Sequence, residues 1–399
     1  MSERPTRVLI AGGGVAALEL MLALRALAGD RVELDLLSAE PEFFYRPLAV
    51  AEPFGAGKAH RFELASIAQD CGARARLGAL AGVDAEHGHA LTDDGHKLYF
   101  DVLAIAVGAR PREGLRGALT FAGKDSRRAF RGLLGELGPG GIERLAFAVP
   151  GGTMWALPLY ELALMTATYA AARGLDGVEI TLVTPEDAPL GLFGLRASNA
   201  IGALLGERGI DVRTGAYPTL VERGRLVVTP GEPVAADQVV ALPVLDGPRL
   251  PGVPHDAGGF IPTDPHGRVE GLANVYAAGD VTTFPVKQGG IATQQAGAVA
   301  KSIAALAGAP VSPEPLRPVL RGLLLTGNTP AYLHAELPGG QGETSVMDME
   351  PLWWPPSKIA GHYLSRYLAT LAAAAPPPAS GAGIRIEVDD LESLLGSGR

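Results

Sequence analysis

Cysteine is all but missing from this chain, which carries one, Cys71, in 399 residues. A single thiol excludes an intrachain disulfide, a cysteine-rich metal site and any redox pair of cysteines. Lysine is scarce as well, six against 28 arginines, so a lysine standing in a glycine-rich loop is informative. There is no excess of positive charge. The formal net charge is -9 and the charges are interspersed, which leaves no electrostatic footprint for nucleic acid. No uninterrupted apolar run reaches membrane-spanning length, and the N-terminus has no signal-peptide layout, so a cytoplasmic protein is expected. With 47% hydrophobic residues the chain can bury large cores, and its length suggests two or three domains.

What is present begins with a strand. Arg7-Val-Leu-Ile-Ala11 reads as a buried strand, and Gly12-Gly-Gly-Val-Ala-Ala17 follows at once, leading into a helical run over 18–28. Strand, glycines at the first and third places, a small residue at the sixth, then helix is the dinucleotide-binding fingerprint in its proper context. Gly12 permits the tight turn, Gly14 lets a pyrophosphate approach the backbone, and Ala17 lets the helix sit close on the sheet. The second strand, 31–37, should end in an acid for the ribose hydroxyls, but Ser38 stands there, with Glu40 two residues on. Glu40 or a backbone group can take over that contact, and the residues leave both open. Next comes Glu42-Phe-Phe-Tyr-Arg-Pro-Leu48, in which Arg46 is placed to meet phosphate or carbonyl oxygen.

Short strands over 78–99 read as an antiparallel meander, and Asp101-Val-Leu-Ala-Ile-Ala-Val-Gly108 as a buried strand ending in glycine. A second strand, turn and helix unit runs from Leu145-Ala-Phe-Ala-Val149 through Pro150-Gly-Gly-Thr-Met-Trp155. Its glycines do not repeat the fingerprint. With Gly151 first, the third place is Thr153 and the sixth Ala156, Trp155 crowds the turn, and the strand-end place is Thr184. This unit reads as Rossmann-like but degenerate for NAD(P). Short strands follow to 229, and a buried strand over 238–243 is expected to return the chain to the first domain. Near the end, Val275-Tyr-Ala-Ala-Gly-Asp280 is a short buried strand with a carboxylate at its tip, leading through Phe284-Pro-Val-Lys-Gln-Gly-Gly-Ile-Ala-Thr-Gln-Gln295 into a helix. An acid at a strand end beside a helix N-terminus is a place to hold a cofactor.

In this order and spacing, Gly12-Gly-Gly-Val-Ala-Ala17, Ala106-Val-Gly108, Val275 to Asp280 and Pro285-Val-Lys-Gln-Gly289 resemble the flavoproteins with two dinucleotide-binding domains. That is the FAD-dependent pyridine nucleotide-disulfide oxidoreductase superfamily. The 284–295 loop and Pro158-Leu-Tyr-Glu161 look most like sulfide:quinone oxidoreductases, with type II NADH dehydrogenases as relatives. The resemblance implies an α/β fold of two Rossmann-like, three-layer ββα domains and a small C-terminal segment. The divisions it suggests are an FAD-binding domain over 1–113 and 246–310, a second domain over 114–245, a flavin-covering or interface segment over 311–372, and a linker with an acidic tail over 373–399.

By the same resemblance Asp280 accepts hydrogen bonds from the ribityl chain, and the helix near Gly290 aims its N-terminus at the flavin. The expected FAD contacts are Gly12, Gly14, Val15, Ala16, Ala17, Ser38, Glu40, Arg46, Ala106, Gly108, Gly279, Asp280, Lys287, Gly290 and Thr293. The cysteines through which sulfide:quinone oxidoreductases work have no counterpart: Met154 or Trp155 stands at one place, and none occurs around 321–332. Cys71 reads as a small buried residue at a helix end. The expectation is therefore a flavoenzyme in which a small donor and a quinone-like or other acceptor exchange electrons directly beside Lys287, Gln288 and Glu161. Two alternatives remain, an NAD(P)H:acceptor oxidoreductase and a flavin-holding scaffold without catalysis. A helix over 359–372, with Trp353, Trp354, Tyr363 and Tyr367, is expected to face a quinone, a membrane surface on the inner side of the cell membrane, or a homodimer partner. The tail over 384–395 is acidic and amphipathic, a docking segment in appearance.

Overall fold

The computed structural model describes residues 4–337 and 345–374. The acidic tail lies outside these. The chain opens with β1 (Thr6–Ala11), α1 (Val15–Ala28) and β2 (Val32–Ser38), then a small antiparallel pair, β3 (Glu42–Phe44) and β4 (Arg61–Glu63). Next come α2 (Leu64–Asp70), β5 (Arg74–Leu77), a meander of β6 (Leu80–Asp84), β7 (His89–Thr92) and β8 (Lys97–Tyr99), and β9 (Val102–Ile105). Much later β20 (Val275–Ala277) completes a parallel sheet in the order β20-β9-β1-β2-β5. β9 is apolar and buried along its whole length, and β1 from Val8 to Ala11, because helices cover one face of the sheet and the meander lies on the other. Cys71 caps α2, buried, and burial pushes its thiol up to about 11.

A two-stranded ribbon of β10 (Arg110–Arg112) and β19 (Val244–Asp246) links this unit to the second. There, β11 (Leu119–Thr120), α3 (Lys124–Gly135), β12 (Arg144–Ala148), α4 (Leu157–Ala171), β13 (Glu179–Val183), α5 (Leu195–Glu207) and β14 (Ile210–Arg213) alternate. A flap of β15 (Tyr217–Glu222), β16 (Arg225–Thr229) and β17 (Val234–Ala235) precedes β18 (Gln238–Ala241). The parallel order is β11-β18-β12-β13-β14. The strand expected to carry the chain home, β18, is therefore an inner strand of the second sheet, and β19 makes the return.

The last part is α6 (Gly289–Leu306), then an antiparallel sheet of β21 (Val319–Leu324), β22 (Ala331–Glu336) and β23 (Val346–Asp348), and α7 (Leu364–Ala374). Sequence reading expected the last helix from 359. Instead, Ser365 Oγ accepts the Gly361 amide at 2.8 Å and donates to the Ile359 carbonyl, which holds 359–361 out of the helix. The Glu19 carboxylate on α1 then caps α7 by accepting the Tyr363 and Leu364 amides at 3.0 and 2.7 Å. The C-terminal sheet shares one core with the second unit. Gly322 on β21 lies against Phe193 and Leu157, where an added Cβ would come within 2.7 and 2.9 Å of them. Removing the Phe193 ring would open a cavity there at a cost of about 3–5 kcal/mol.

Candidate functional site

The β1 to α1 turn leaves its backbone open to the outside. Gly12 has φ +132°, and a Cβ there would run into the Ala106 carbonyl on the neighbouring strand, so only glycine lets the two chains touch. Gly14 differs: nothing lies within 4 Å of where its Cβ would be, so its face opens on free space. Gly14 is also the N-cap of α1 and has no side chain to cap it. The first amides of α1, those of Val15, Ala16 and Ala17, are thus left for an anion. Gly108, with φ +76°, turns the chain away beside this opening.

The β20 to α6 connection is held by Gln295. Its Oε1 accepts the Gly279 amide at 2.7 Å, and its Nε2 donates to Thr282 Oγ1 at 3.1 Å. Between them Asp280 is left half-buried, and among the described residues nothing hydrogen-bonds its carboxylate. Burial raises its pKa, opposed by the charges of Lys287 and Arg46. The structure therefore brings Asp280, Lys287 and Arg46 into one electrostatic neighbourhood. Gln288 caps α6, its Oε1 accepting the Ile291 amide at 2.9 Å while its Nε2 donates to the Arg321 carbonyl at 2.8 Å. Gly289 and Gly290 begin the helix with amides that have no intrahelical acceptor, and the helix dipole favours negative charge in front of them.

Other residues expected at the site are placed less directly. Lys287 is buried, donates to the Thr282 carbonyl and lies 4.0 Å from the Phe260 ring centroid; burial pushes its pKa down to about 8. Ser38 turns its hydroxyl to the Glu40 carbonyl at 2.8 Å, and Glu40 is exposed. Thr293 bonds the Gly290 carbonyl at 2.9 Å and points its methyl toward Gly361, into a groove beside α1. Arg46 is exposed, at the start of a short turn of helix.

Glu161 on α4 is fully buried. Both its oxygens accept from Lys358 Nζ at 2.6 Å, and Oε1 also accepts the Leu325 amide at 2.8 Å. Desolvation pushes Glu161 up and Lys358 down, toward a shared proton on the carboxylate, while their attraction pulls the other way. Through Ile359, the residue after Lys358, the pair stands next to the start of α6. Ile359 donates its amide to Tyr45 Oη at 3.2 Å and packs on Gly289, within 3.0 Å of where a Cβ would be.

Residues 6–300 match the model of the pyridine nucleotide-disulphide oxidoreductases. This chain belongs to that family. The oxidoreductase is 28% identical, over 306 residues, to the ferredoxin–NAD(+) reductase component of the Pseudomonas putida p-cumate 2,3-dioxygenase system; the match covers 71% of this chain and 70% of the relative. In fold it resembles the sulfide:quinone oxidoreductase of Aquifex aeolicus, with TM-score 0.75, 20% identity and coverage of 86% of this chain and 87% of that one. It also resembles Plasmodium falciparum NDH2 in complex with NADH, with TM-score 0.66, 14% identity and coverage of 93% and 94%. The oxidoreductase is a flavoprotein, and its cofactor is FAD. The open face of Gly14, the uncapped α1 and the Asp280 carboxylate, without a hydrogen bond among the described residues, fit that group.

In the second unit of the oxidoreductase the corresponding turn is occupied by its own side chains. Thr153 Oγ1 donates to the Pro150 carbonyl at 2.8 Å, and the Trp155 ring lies 5.9 Å from Phe193. Glu186, two residues past the buried Thr184, was not foreseen from sequence. Its carboxylate accepts from Tyr160 Oη at 2.6 Å and Thr184 Oγ1 at 2.8 Å, and burial raises its pKa. Lys358 was also missed. The scarcity of lysine was the one signal that could have drawn attention to Lys358.

Proposed function

We propose that this oxidoreductase passes electrons from a small donor to a quinone-like acceptor directly, without a cysteine relay. The observation that carries the reading is the buried Glu161–Lys358 pair one residue from Ile359, which packs on the start of α6. FAD, when bound, supplies two-electron chemistry. The protein must supply the rest. Reducing a quinone to its hydroquinone consumes two electrons and two protons, and a carboxyl whose proton is balanced against an adjacent ammonium can deliver one of these protons. Lys287 and the α6 N-terminus provide positive potential where negative charge accumulates. Gln288 orients that helix rather than reacting.

The same reading includes a surface contact. Among the described residues no helix is long and apolar enough to cross a membrane. Leu192, Leu195, Val346 and Met349 nevertheless expose 45, 69, 38 and 49% of their surface where the start of α5 meets β23. This face would suit an interface with lipid at the source of the quinone.

A second reading has its own support. The Pseudomonas relative is named for NAD(+) and ferredoxin, so an NAD(P)H:acceptor reaction stands as the alternative. Anaerobic titration with sulfide, NADH and NADPH, each followed by an oxidised soluble quinone, separates the two. Bleaching of the flavin by sulfide and its recovery on adding the quinone supports the proposed reaction, whereas fast bleaching by NADH or NADPH supports the alternative.

A further inference from the structure

A groove of about 710 Å³ runs between α1, α6 and the C-terminal segment. It is unused by the reaction proposed above. Lys301, Arg317 and Arg321 line it, against two carboxylates, Glu19 and Glu314. Both carboxylates are already committed. Glu19 caps α7, and Glu314 pairs with Lys301 at 2.5 Å. Arg321 is the odd member: half-buried, its pKa lowered by burial, with no carboxylate acting on it among the described residues. A guanidinium removed from water without an anion is costly, which marks the groove as incomplete. Its other wall is apolar, with Ala23 and Leu27 of α1, Leu316, and Trp354 at the rim, 53% exposed.

The occupant such a groove would accept is an amphipathic anion, and the chain contains one. Residues 384–395, Ile-Arg-Ile-Glu-Val-Asp-Asp-Leu-Glu-Ser-Leu-Leu, carry four acids against one arginine, with six apolar residues between them. Reach is sufficient. His362 and Tyr363 line the groove and α7 starts at Leu364, so its 11 residues carry the chain only about 16 Å away. The nine residues 375–383 can span up to about 30 Å.

The mode of contact is also restricted. β21 is an edge strand, yet its polar edge is taken: Gln294 bonds the Val319 amide and carbonyl at 2.8 Å each, and Gln288 takes the Arg321 carbonyl. An added strand is excluded on that side, so contact is made through side chains.

We propose that residues 384–395 of this same chain dock in the groove, with carboxylates on Arg321 and Arg317 and apolar residues against Trp354 and Leu27. Hydrogen exchange on the full-length, FAD-loaded protein tests this. The amides of 384–395 should exchange at least ten-fold more slowly than in an unstructured peptide. Arg317→Glu with Arg321→Glu should abolish that protection, and adding Glu387→Arg, Asp389→Arg and Asp390→Arg should restore it. Arg321→Gln with Trp354→Ala gives the same loss without charge reversal, should the first variant fail to retain flavin. Unprotected amides in the wild type, or protection unaffected by both groove variants, would overturn the proposal. Protection that grows with protein concentration would also overturn it, since the tail of a second copy would then be the occupant.

Discussion

Lys358 Nζ stands 2.6 Å from each carboxylate oxygen of Glu161, and the two residues are 197 positions apart in sequence. The contact ties α4 of the second unit to the irregular segment that leads into α7, and both to the start of α6 through Ile359 and Gly289. One ion pair thereby ties together α4, the segment before α7 and, through Ile359, the start of α6.

The pair's energetics give the first prediction. Glu161→Gln leaves the Lys358 ammonium buried without an anion and should destabilise the fold by about 3–5 kcal/mol, as should Lys358→Met. The double variant, which removes both charges, should be closer to wild type than either single one. Chemical denaturation followed by flavin fluorescence measures all three. Equal additivity of the two losses would mean that the charges do not depend on each other.

Gly12→Ala and Gly14→Ala should part company. The first places a methyl group inside the Ala106 carbonyl and should disrupt the fold around β1 and β9. The second meets no atom of the protein and should leave the melting temperature of the flavin-free protein unchanged. Its FAD affinity should nevertheless fall about ten-fold or more, because the backbone can no longer approach the pyrophosphate. Calorimetric titration with FAD reads this loss.

Cys71 should be dispensable. It is buried, with its thiol raised to about 11, so almost none of it is thiolate at neutral pH. Cys71→Ser should keep wild-type turnover with the physiological donor and acceptor, at a stability loss of about 1 kcal/mol. A drop of more than ten-fold in turnover with FAD content unchanged would restore a thiol mechanism.

Lys287 predicts a pH dependence of a definite sign. Its folded pKa lies near 8 against 10.5 when unfolded, with burial as the cause. Between these values the unfolded chain binds a proton that the folded chain has released, so stability contributed by this group rises with pH across that window. The rise is at most about 3 kcal/mol. Urea denaturation at pH 8 and pH 10.5, compared at equal FAD saturation, should show this increment in wild type and lose it in Lys287→Met.

Local elements were legible in the sequence, and long-range contacts were not. The β1 turn, the meander and the β20 to α6 connection each announce themselves within about twenty residues, because glycine placement and apolar runs act locally. Gln288 and Thr293 were legible only as members of a loop. Their bonds to Arg321 and Gly290 show a helix cap and an internal hydroxyl, which no spacing encodes. The start of α7 at Leu364 depends on Glu19, 345 residues earlier, so the apolar pattern alone placed it too soon. Glu186 escaped because the fingerprint directs attention to the strand-end residue itself, Thr184, and the acid lies two further on.

Direct transfer to a quinone calls for a proton supplied at Glu161. Its most direct test is anaerobic stopped-flow reoxidation of the reduced protein by a soluble quinone, as a function of pH, in wild type and Glu161→Gln. The account predicts rapid reoxidation in wild type with a pH-dependent rate, and in the variant a rate lower by about 10²–10³-fold that no longer responds to that titration. Equal rates and equal pH profiles in the two proteins, with FAD content matched, would contradict it.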